Sequence, residues 1–202
     1  KPIYSSASCS GDDMAEKLKD HLSVKKILQF AEALTEKDGR ELFSAQIRDN
    51  TAIAEEGLSG NYGARVGQTL LKTRDEGSVR ARAVAKAAAG SDARMNGCTL
   101  PVVINSGSGN QGITVTVPVV EYAKAAGADQ LSLYRAMAIS NLISIHIKHH
   151  IGKLSAFCGA VSASCGSGAA VAYLQGADYA QICNTISNTL GNVGGIVCDG
   201  AK

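Results

Sequence analysis

A glycine- and serine-rich segment in the middle of the chain has the composition of an anion-binding loop. It consists of Ser106, Gly107, Ser108, Gly109, Asn110, Gln111 and Gly112. Successive glycine and serine residues can turn their backbone N–H groups toward an anion, and a helix that begins near Asn110 would add its positive field. These groups suit a carboxylate or a phosphate. The spacing fits neither a P-loop nor a dinucleotide-binding fingerprint, and a tightly packed turn without a ligand is the alternative.

Two arginines near glycine-rich stretches are candidate partners for the same anion. The segment SDARMNG, residues 91–97, places Asp92 and Arg94 near a helix end just before the loop. An arginine can bind a carboxylate through two parallel hydrogen bonds, whereas a local salt bridge is the structural alternative. Arg65 lies in a second glycine-rich stretch, GNYGARVG, and is another candidate anion contact.

The six cysteines offer a second kind of chemistry, because thiolates bind iron and zinc. They are Cys9, Cys98, Cys158, Cys165, Cys183 and Cys198, and the pattern Cys-x-x-Cys does not occur. Zinc ribbons and ferredoxin-type sites are therefore not supported. Cys158 and Cys165 would lie about 10 Å apart along one helix. Cys198 follows the glycine-rich run GNVGGIV, where a loop thiolate can reach a cluster; a small buried side chain is the alternative for each cysteine.

A run of basic side chains forms a weaker candidate site. His146 and His150 are four residues apart and would share a helix face with Lys148 and His149 nearby. No carboxylate lies at a matching spacing. These residues are therefore interpreted as surface or helix-end groups, which suit the negative C-terminal end of a helix.

Composition limits the classes of protein that these sites can belong to. The chain has 202 residues, a formal net charge of +2, 45% hydrophobic residues and 22 glycines. The weak charge does not indicate a nucleic-acid partner. The apolar stretch Leu154–Leu174 is mostly Ala, Ser, Gly and Cys, and we interpret it as a buried helix rather than a membrane span. No signal peptide is visible, so a cytoplasmic location is expected.

Periodicity predicts a mainly α-helical fold with glycine-rich breaks. Residues 1–21 are expected to form a linker or arm and residues 22–202 one helical domain. Ser23, Asp129 and Asp178 are predicted to cap helices. Helical runs are predicted at 39–58, 66–73, 80–89, 131–150, 153–173 and after Asp178. Two interpretations remain for the β-branched runs PVVIN and ITVTVPVV: two short strands, or helices interrupted by the glycine-rich loop.

Four segments resemble one known family. They are EGLSGNYGARVG (56–67), SDARMNGCTLPVVINSGSGNQGITVTVPVV (91–120), LSAFCGAVSASCGSGAAVAYL (154–174) and NVGGIVCDGAK (192–202). In these segments the chain resembles the L-cysteine desulfidase family, which is related to the α-chain of iron–sulfur L-serine dehydratases. The resemblance runs from about Leu22 to the end and implies that this chain is the C-terminal half of a longer enzyme, inactive by itself.

The resemblance implies a [4Fe–4S] cluster bound by three cysteines with one iron open. Cys158 matches the first ligand and Cys198 the second, and the third is implied beyond Lys202. Cys165 and Cys183 are not carried over as ligands and are expected in the core. The catalytic base is implied to lie outside this chain.

The resemblance also implies an α,β-elimination that converts L-cysteine to sulfide, ammonia and pyruvate. Dehydration of L-serine is the alternative, and a non-catalytic anion-binding helical module is a second. Ser106, Gly107, Ser108, Gly109, Asn110, Gln111 and Arg94 are then expected to bind the substrate carboxylate. A homodimer is compatible with the small-residue helices, and no nucleic acid or membrane partner is expected.

Overall fold

Helices form most of the chain that the structure describes. The computed structural model describes residues 17–19, 21–74, 77–152, 155–193 and 195–197. Its helices of eight or more residues are α1 (Val24–Ala33), α2 (Glu36–Ser59), α3 (Val66–Thr73), α4 (Val79–Met95), α5 (Gly109–Ala126), α6 (Gln130–Ile151), α7 (Gly159–Leu174) and α8 (Tyr179–Val193). Between these helices, the described residues show only isolated β-bridges. The prediction of a mainly α-helical chain is therefore confirmed.

The predicted capping residues begin their helices. The Ser23 hydroxyl accepts a hydrogen bond from the Lys26 N–H at 3.3 Å, and the Asp129 carboxylate accepts one from the Ser132 N–H at 2.7 Å. The hydrogen bonds that the Ser132 backbone and side chain donate to this carboxylate lower the pKa of Asp129. Asp178 caps α8 in the same way. Each cap satisfies an N–H group that has no partner within the first helical turn.

Several helix boundaries differ from the prediction. Helix α2 begins at Glu36 rather than near residue 39, because Thr35 and Asp38 form a capping box that starts the helix earlier. Helix α3 has the predicted bounds, whereas α4 continues past Ala89 to Met95. Helix α7 begins at Gly159 rather than near residue 153. The first six residues of the predicted run 153–173 are therefore not part of a helix or lie outside the described residues.

The β-branched run ITVTVPVV is helical, so the strand alternative is wrong for this segment. It lies inside α5, and its residues are buried around the whole helix: Val115 and Thr116 are 0% exposed and Val117 is 1% exposed. Contacts on all sides of the helix outweigh the intrinsic preference of these side chains for strands. The preceding residues 101–104 belong to neither a helix nor a strand.

Glycines allow two pairs of segments to approach each other closely. Gly166 of α7 lies against the main-chain carbonyl of Ser140 in α6, and Gly112 of α5 lies against the carbonyl of Val103. A Cβ atom at either glycine would collide with that carbonyl oxygen. The first contact brings α6 and α7 close together, and the second holds Val103 against the first turn of α5.

None of the described helices combines the length and the hydropathy that a bilayer span requires.

Candidate functional site

The candidate loop begins with a tight two-residue turn. Asn105 and Ser108 exchange backbone hydrogen bonds, with N–O distances of 3.2 and 3.0 Å. The two residues between them both have left-handed backbone conformations, with φ of 49° at Ser106 and 82° at Gly107. Positive φ at both central positions is the pattern of a type I′ turn. The turn brings the chain directly into α5, for which Ser108 is the N-cap residue.

The N-terminal end of α5 has no side-chain cap and lies beside an arginine. Ser108 makes no capping hydrogen bond. The Arg94 Nη1 donates to Asn110 Oδ1 at 3.2 Å, and the Arg94 guanidinium covers Gly109, where a Cβ atom would displace it. Because helix N-termini favour negative charge, the helix end and Arg94 together can bind a carboxylate.

The first turn of α5 contacts the first turn of α7. Gln111 is 2% exposed, and its Oε1 lies 3.4 Å from Ser162 Oγ, whose hydroxyl donates to the carbonyl of Gly159 at 2.8 Å. The Gln111 carboxamide packs onto Gly159, where a Cβ atom would collide with it. Gly159 directly follows Cys158. The structure therefore brings the glycine-rich loop and Cys158, which the sequence predicted separately, to one end of the bundle.

Cys158 is a half-buried free thiol at the N-cap position of α7. Its backbone N–H donates to the carbonyl of Ile196 at 3.1 Å, and its neighbour Phe157 forms an antiparallel bridge with Val197. Val197 directly precedes Cys198 in the sequence, whereas Cys198 itself lies outside the described residues. The backbone on the N-terminal side of the second predicted ligand is therefore fixed beside the first.

Behind the turn lies a buried network of amide and hydroxyl side chains that the sequence analysis missed. Asn105 Nδ2 donates to Asn141 Oδ1 at 2.9 Å, and Gln46 Nε2 donates to the same oxygen at 3.1 Å. Asn50 donates to the carbonyl of Val103 at 3.0 Å and accepts from its N–H at 2.9 Å. These bonds hold residues 103–105 in place although they belong to no regular element. The available signal was the presence of Asn141 and Ser144 within the apolar α6.

The side chains of Asp92 and Arg94 form hydrogen bonds with different loops. The Asp92 Oδ2 accepts a hydrogen bond from the N–H of Val66, the first residue of α3, at 2.8 Å. Arg65 precedes that helix with φ of 54° and is exposed. The structure therefore places Arg94 at the candidate loop and Arg65 at the other glycine-rich stretch.

The histidines of α6 form a cluster of their own. The ring centroids of His146 and His150 are 4.9 Å apart. Burial, followed by the charges of His150 and His149, lowers the pKa of His146. His150 lines an apolar groove of about 430 Å³ together with Phe157 and other side chains. Within the described ranges no three histidine, cysteine or acidic side chains are grouped as metal ligands.

The other helical cysteines differ from Cys158. Cys165 is completely buried in α7, and this burial raises the pKa of its thiol to about 11. The expectation that Cys165 is a core residue therefore agrees with its surroundings. Cys183 in α8 is only partly buried and is not a member of the core, so the expectation of a core position is wrong for this cysteine.

Comparisons with known proteins identify the family. The family model described as serine dehydratase alpha chain matches residues 11–202. UPF0597 protein DSY1109 of Desulfitobacterium hafniense is 57% identical over 181 residues, which are 90% of this chain and 42% of that protein. UPF0597 protein FN1147 of Fusobacterium nucleatum is 43% identical over 206 residues, which are 99% of this chain and 48% of that protein.

The chain therefore spans less than half the length of these curated relatives. No solved structure matches it. The family model covers nearly the whole sequence, including the segments that form the candidate site. The chain belongs to the serine dehydratase alpha-chain family.

Proposed function

We propose that the full-length protein is an iron–sulfur-dependent lyase that acts on L-cysteine. The reaction removes the α-proton and the β-thiolate, and water then hydrolyses the resulting aminoacrylate. L-cysteine and water give pyruvate, sulfide and ammonia. Family membership supports a lyase, and the resemblance of the motifs to L-cysteine desulfidases supports this substrate.

The proposal rests on the contact between Gln111 and Gly159. It joins the uncapped end of α5, which suits a carboxylate, to the end of α7 that carries Cys158. An amino acid is short, so a site that eliminates its β-substituent requires the carboxylate contact and the leaving-group contact close together.

The donor chemistry at Cys158 fits a thiolate-bound cluster. The thiol is half-buried and lies at a helix N-terminus, where negative charge on sulfur is favoured. Neither Ser106–Gln111 nor Phe157–Ser162 contains an acidic residue that would compete for this field. Cys158 and Cys198 would hold the cluster, with the third ligand expected beyond Lys202. When bound, an iron with an open position supplies a Lewis acid for the leaving group.

The residues of this chain are assigned to binding and orientation. The backbone N–H groups at the start of α5 and the Arg94 guanidinium hold the carboxylate. This contact fixes the position of the α-carbon, and it stabilises the negative charge that develops on the carboxylate when the α-proton leaves. Gln111 closes the space between the two helix ends and keeps bulk water from it.

Elimination of water from L-serine is the second candidate reaction. It is favoured by the description of the family itself, serine dehydratase alpha chain. The carboxylate site and the cysteine ligands would be the same, and only the leaving group would differ. In either case the free thiols are consistent with a reducing compartment, so we propose that the protein acts in the cytosol.

The test uses the full-length protein, reconstituted with iron and sulfide without oxygen. Release of sulfide and pyruvate from L-cysteine is measured beside release of pyruvate from L-serine. Equal amounts of sulfide and pyruvate from L-cysteine are expected. Pyruvate from L-serine alone would assign the dehydratase reaction instead. If a fully loaded protein forms neither product, the enzyme proposal is overturned and the anion-binding module is the remaining interpretation.

A further inference from the structure

A chain of hydrogen bonds fixes the direction of the Ser106 hydroxyl proton. The chain starts at the main-chain carbonyl of Met137. Asn141 Nδ2 lies 2.8 Å from the carbonyl oxygen of Met137. A carbonyl oxygen can only accept, so the Nδ2 side of Asn141 must point to it. Asn141 Oδ1 is thereby directed away from its own helix and toward Asn105.

The same logic fixes the orientation of Asn105. Asn141 Oδ1 can only accept, so the group 2.9 Å from it must be Asn105 Nδ2. Asn105 Oδ1 then points to two hydroxyl groups, Ser106 Oγ at 2.9 Å and Ser144 Oγ at 3.0 Å. A carboxamide oxygen has two lone pairs, and these two donors use both. Asn105 is 4% exposed, so water does not offer an alternative partner.

Ser106 therefore presents only lone pairs on its outer side. A serine hydroxyl has one proton, and that proton is donated inward to Asn105 Oδ1. Ser106 is part-exposed in the turn, so a ligand can reach its oxygen, whereas Ser144 is completely buried. The group that a ligand places against Ser106 must be a hydrogen-bond donor.

Asn110 presents a hydrogen-bond donor to a ligand, whereas Ser106 presents an acceptor. The Asn110 Oδ1 accepts from Arg94 Nη1 at 3.2 Å, and an arginine can only donate. Asn110 Nδ2 and the remaining guanidinium N–H groups are thus left as donors. The loop combines an outward acceptor at Ser106 with outward donors at Asn110 and Arg94.

We propose that Ser106 Oγ accepts a hydrogen bond from the α-ammonium group of the substrate while Asn110 and Arg94 bind its carboxylate. This inference rests on the proposed function and makes it more specific. The loop would select α-amino acids over carboxylic acids that lack the amino group. The expectation that every residue of the loop binds the carboxylate is thereby revised for Ser106.

The test compares L-alanine with propionate as ligands of the full-length, reconstituted protein. Neither has a leaving group, so neither is turned over, and they differ only in the α-ammonium group. Affinities are measured by isothermal titration calorimetry without oxygen. Ser106→Gly removes the hydroxyl and suits the positive φ of this position. Ser106→Ala removes the same hydroxyl without adding backbone freedom.

Both variants are expected to bind L-alanine about tenfold more weakly, the loss typical of one hydrogen bond to a charged group. Their affinity for propionate is expected to stay unchanged. Ser164→Ala is the matched control, because the Ser164 hydroxyl donates to the Val161 carbonyl of its own helix at 2.8 Å. This control is expected to bind both ligands as the wild type does.

Three results would overturn the inference. An equal loss of affinity for both ligands would place Ser106 at the carboxylate, and no loss for either would remove Ser106 from the site. Wild-type protein that binds propionate as tightly as L-alanine would contradict the selection without any variant. The product assay on the same preparation tests the proposed function separately, so an active wild type with unselective binding overturns only this inference.

Discussion

Two glycine-containing loops of this chain each lead into a helix, but the two helix ends differ. The first loop, residues 60–65, leads into α3, and the second loop, residues 105–108, leads into α5. Each contains a residue other than glycine with positive φ, Arg65 at 54° and Ser106 at 49°. From the sequence alone, either loop could bind an anion.

The two loops differ in the group that caps the helix after them. The first N–H of α3 is occupied by the Asp92 carboxylate at 2.8 Å, whereas the start of α5 has no side-chain cap and lies beside Arg94. A carboxylate at a helix N-terminus offsets the positive field that another anion would need. Glycine content alone therefore does not identify an anion site; the group that occupies the helix end decides it.

The surroundings of the first loop strengthen this contrast. The Tyr62 hydroxyl donates to Glu56 at 2.9 Å. This hydrogen bond, together with the neighbouring Cys98, raises the pKa of Tyr62 to about 12. The first loop thus lies beside two carboxylates, Glu56 and Asp92, which repel an anionic ligand. Each loop also has a cysteine nearby, Cys98 at the first and Cys158 at the second, which provides matched variants.

The largest expected effect concerns these two cysteines. Cys158→Ser is expected to abolish the broad visible absorption of the anaerobically reconstituted full-length protein, because it removes a proposed cluster ligand. Cys98→Ser is expected to retain the absorption and the iron content. Retained absorption in Cys158→Ser would contradict the ligand assignment, and loss in both variants would remove the distinction between the loops.

Alanine substitutions at two glycines near the second loop are expected to change the stability of the protein by different amounts. Gly112→Ala places a Cβ atom against the main-chain carbonyl of Val103 and is expected to lower the free energy of unfolding by about 3 kcal/mol. Gly109→Ala meets only the flexible end of Arg94, so its stability should change little. Chemical denaturation of the full-length variants measures both values. Equal destabilisation would show that Arg94 is held as rigidly as the backbone.

The smallest expected effect concerns the cap of the first loop. Asp92→Ala removes the hydrogen bond to Val66 and is expected to lower the free energy of unfolding by about 1 kcal/mol, the usual cost of losing a cap. Binding of L-alanine should stay unchanged, because α3 does not contact the ligand in this account. Calorimetric titration of the same variant checks this, and tighter anion binding at the freed helix end would reveal a second site.

Local signals in the sequence predicted much of the fold. Helix α3 has its predicted bounds, and Ser23, Asp129 and Asp178 cap the predicted helices. These features depend on neighbouring residues, which a sequence displays directly. The segment ITVTVPVV could not be decided, because side chains buried on every face of a helix show no period of 3.6 residues.

The candidate site was only partly predictable. The composition of the second loop and the position of Cys158 were visible, but their proximity depends on Gln111 and Gly159, which lie 48 positions apart. The network behind the loop joins residues from distant helices, such as Gln46 and Asn141. Contacts between side chains of such separation leave no periodic pattern in a single sequence.

The assignment of the substrate carboxylate to the second loop is tested by a comparison of Arg94→Gln with Arg65→Gln in the full-length, reconstituted protein. Both changes remove one exposed guanidinium and retain most of the side-chain length, and L-alanine serves as the ligand that is not turned over. We expect Arg94→Gln to weaken its binding about tenfold, as for the loss of one charge-assisted contact, and Arg65→Gln to leave it unchanged. Weaker binding in Arg65→Gln with normal binding in Arg94→Gln would contradict the assignment of the substrate carboxylate to the second loop.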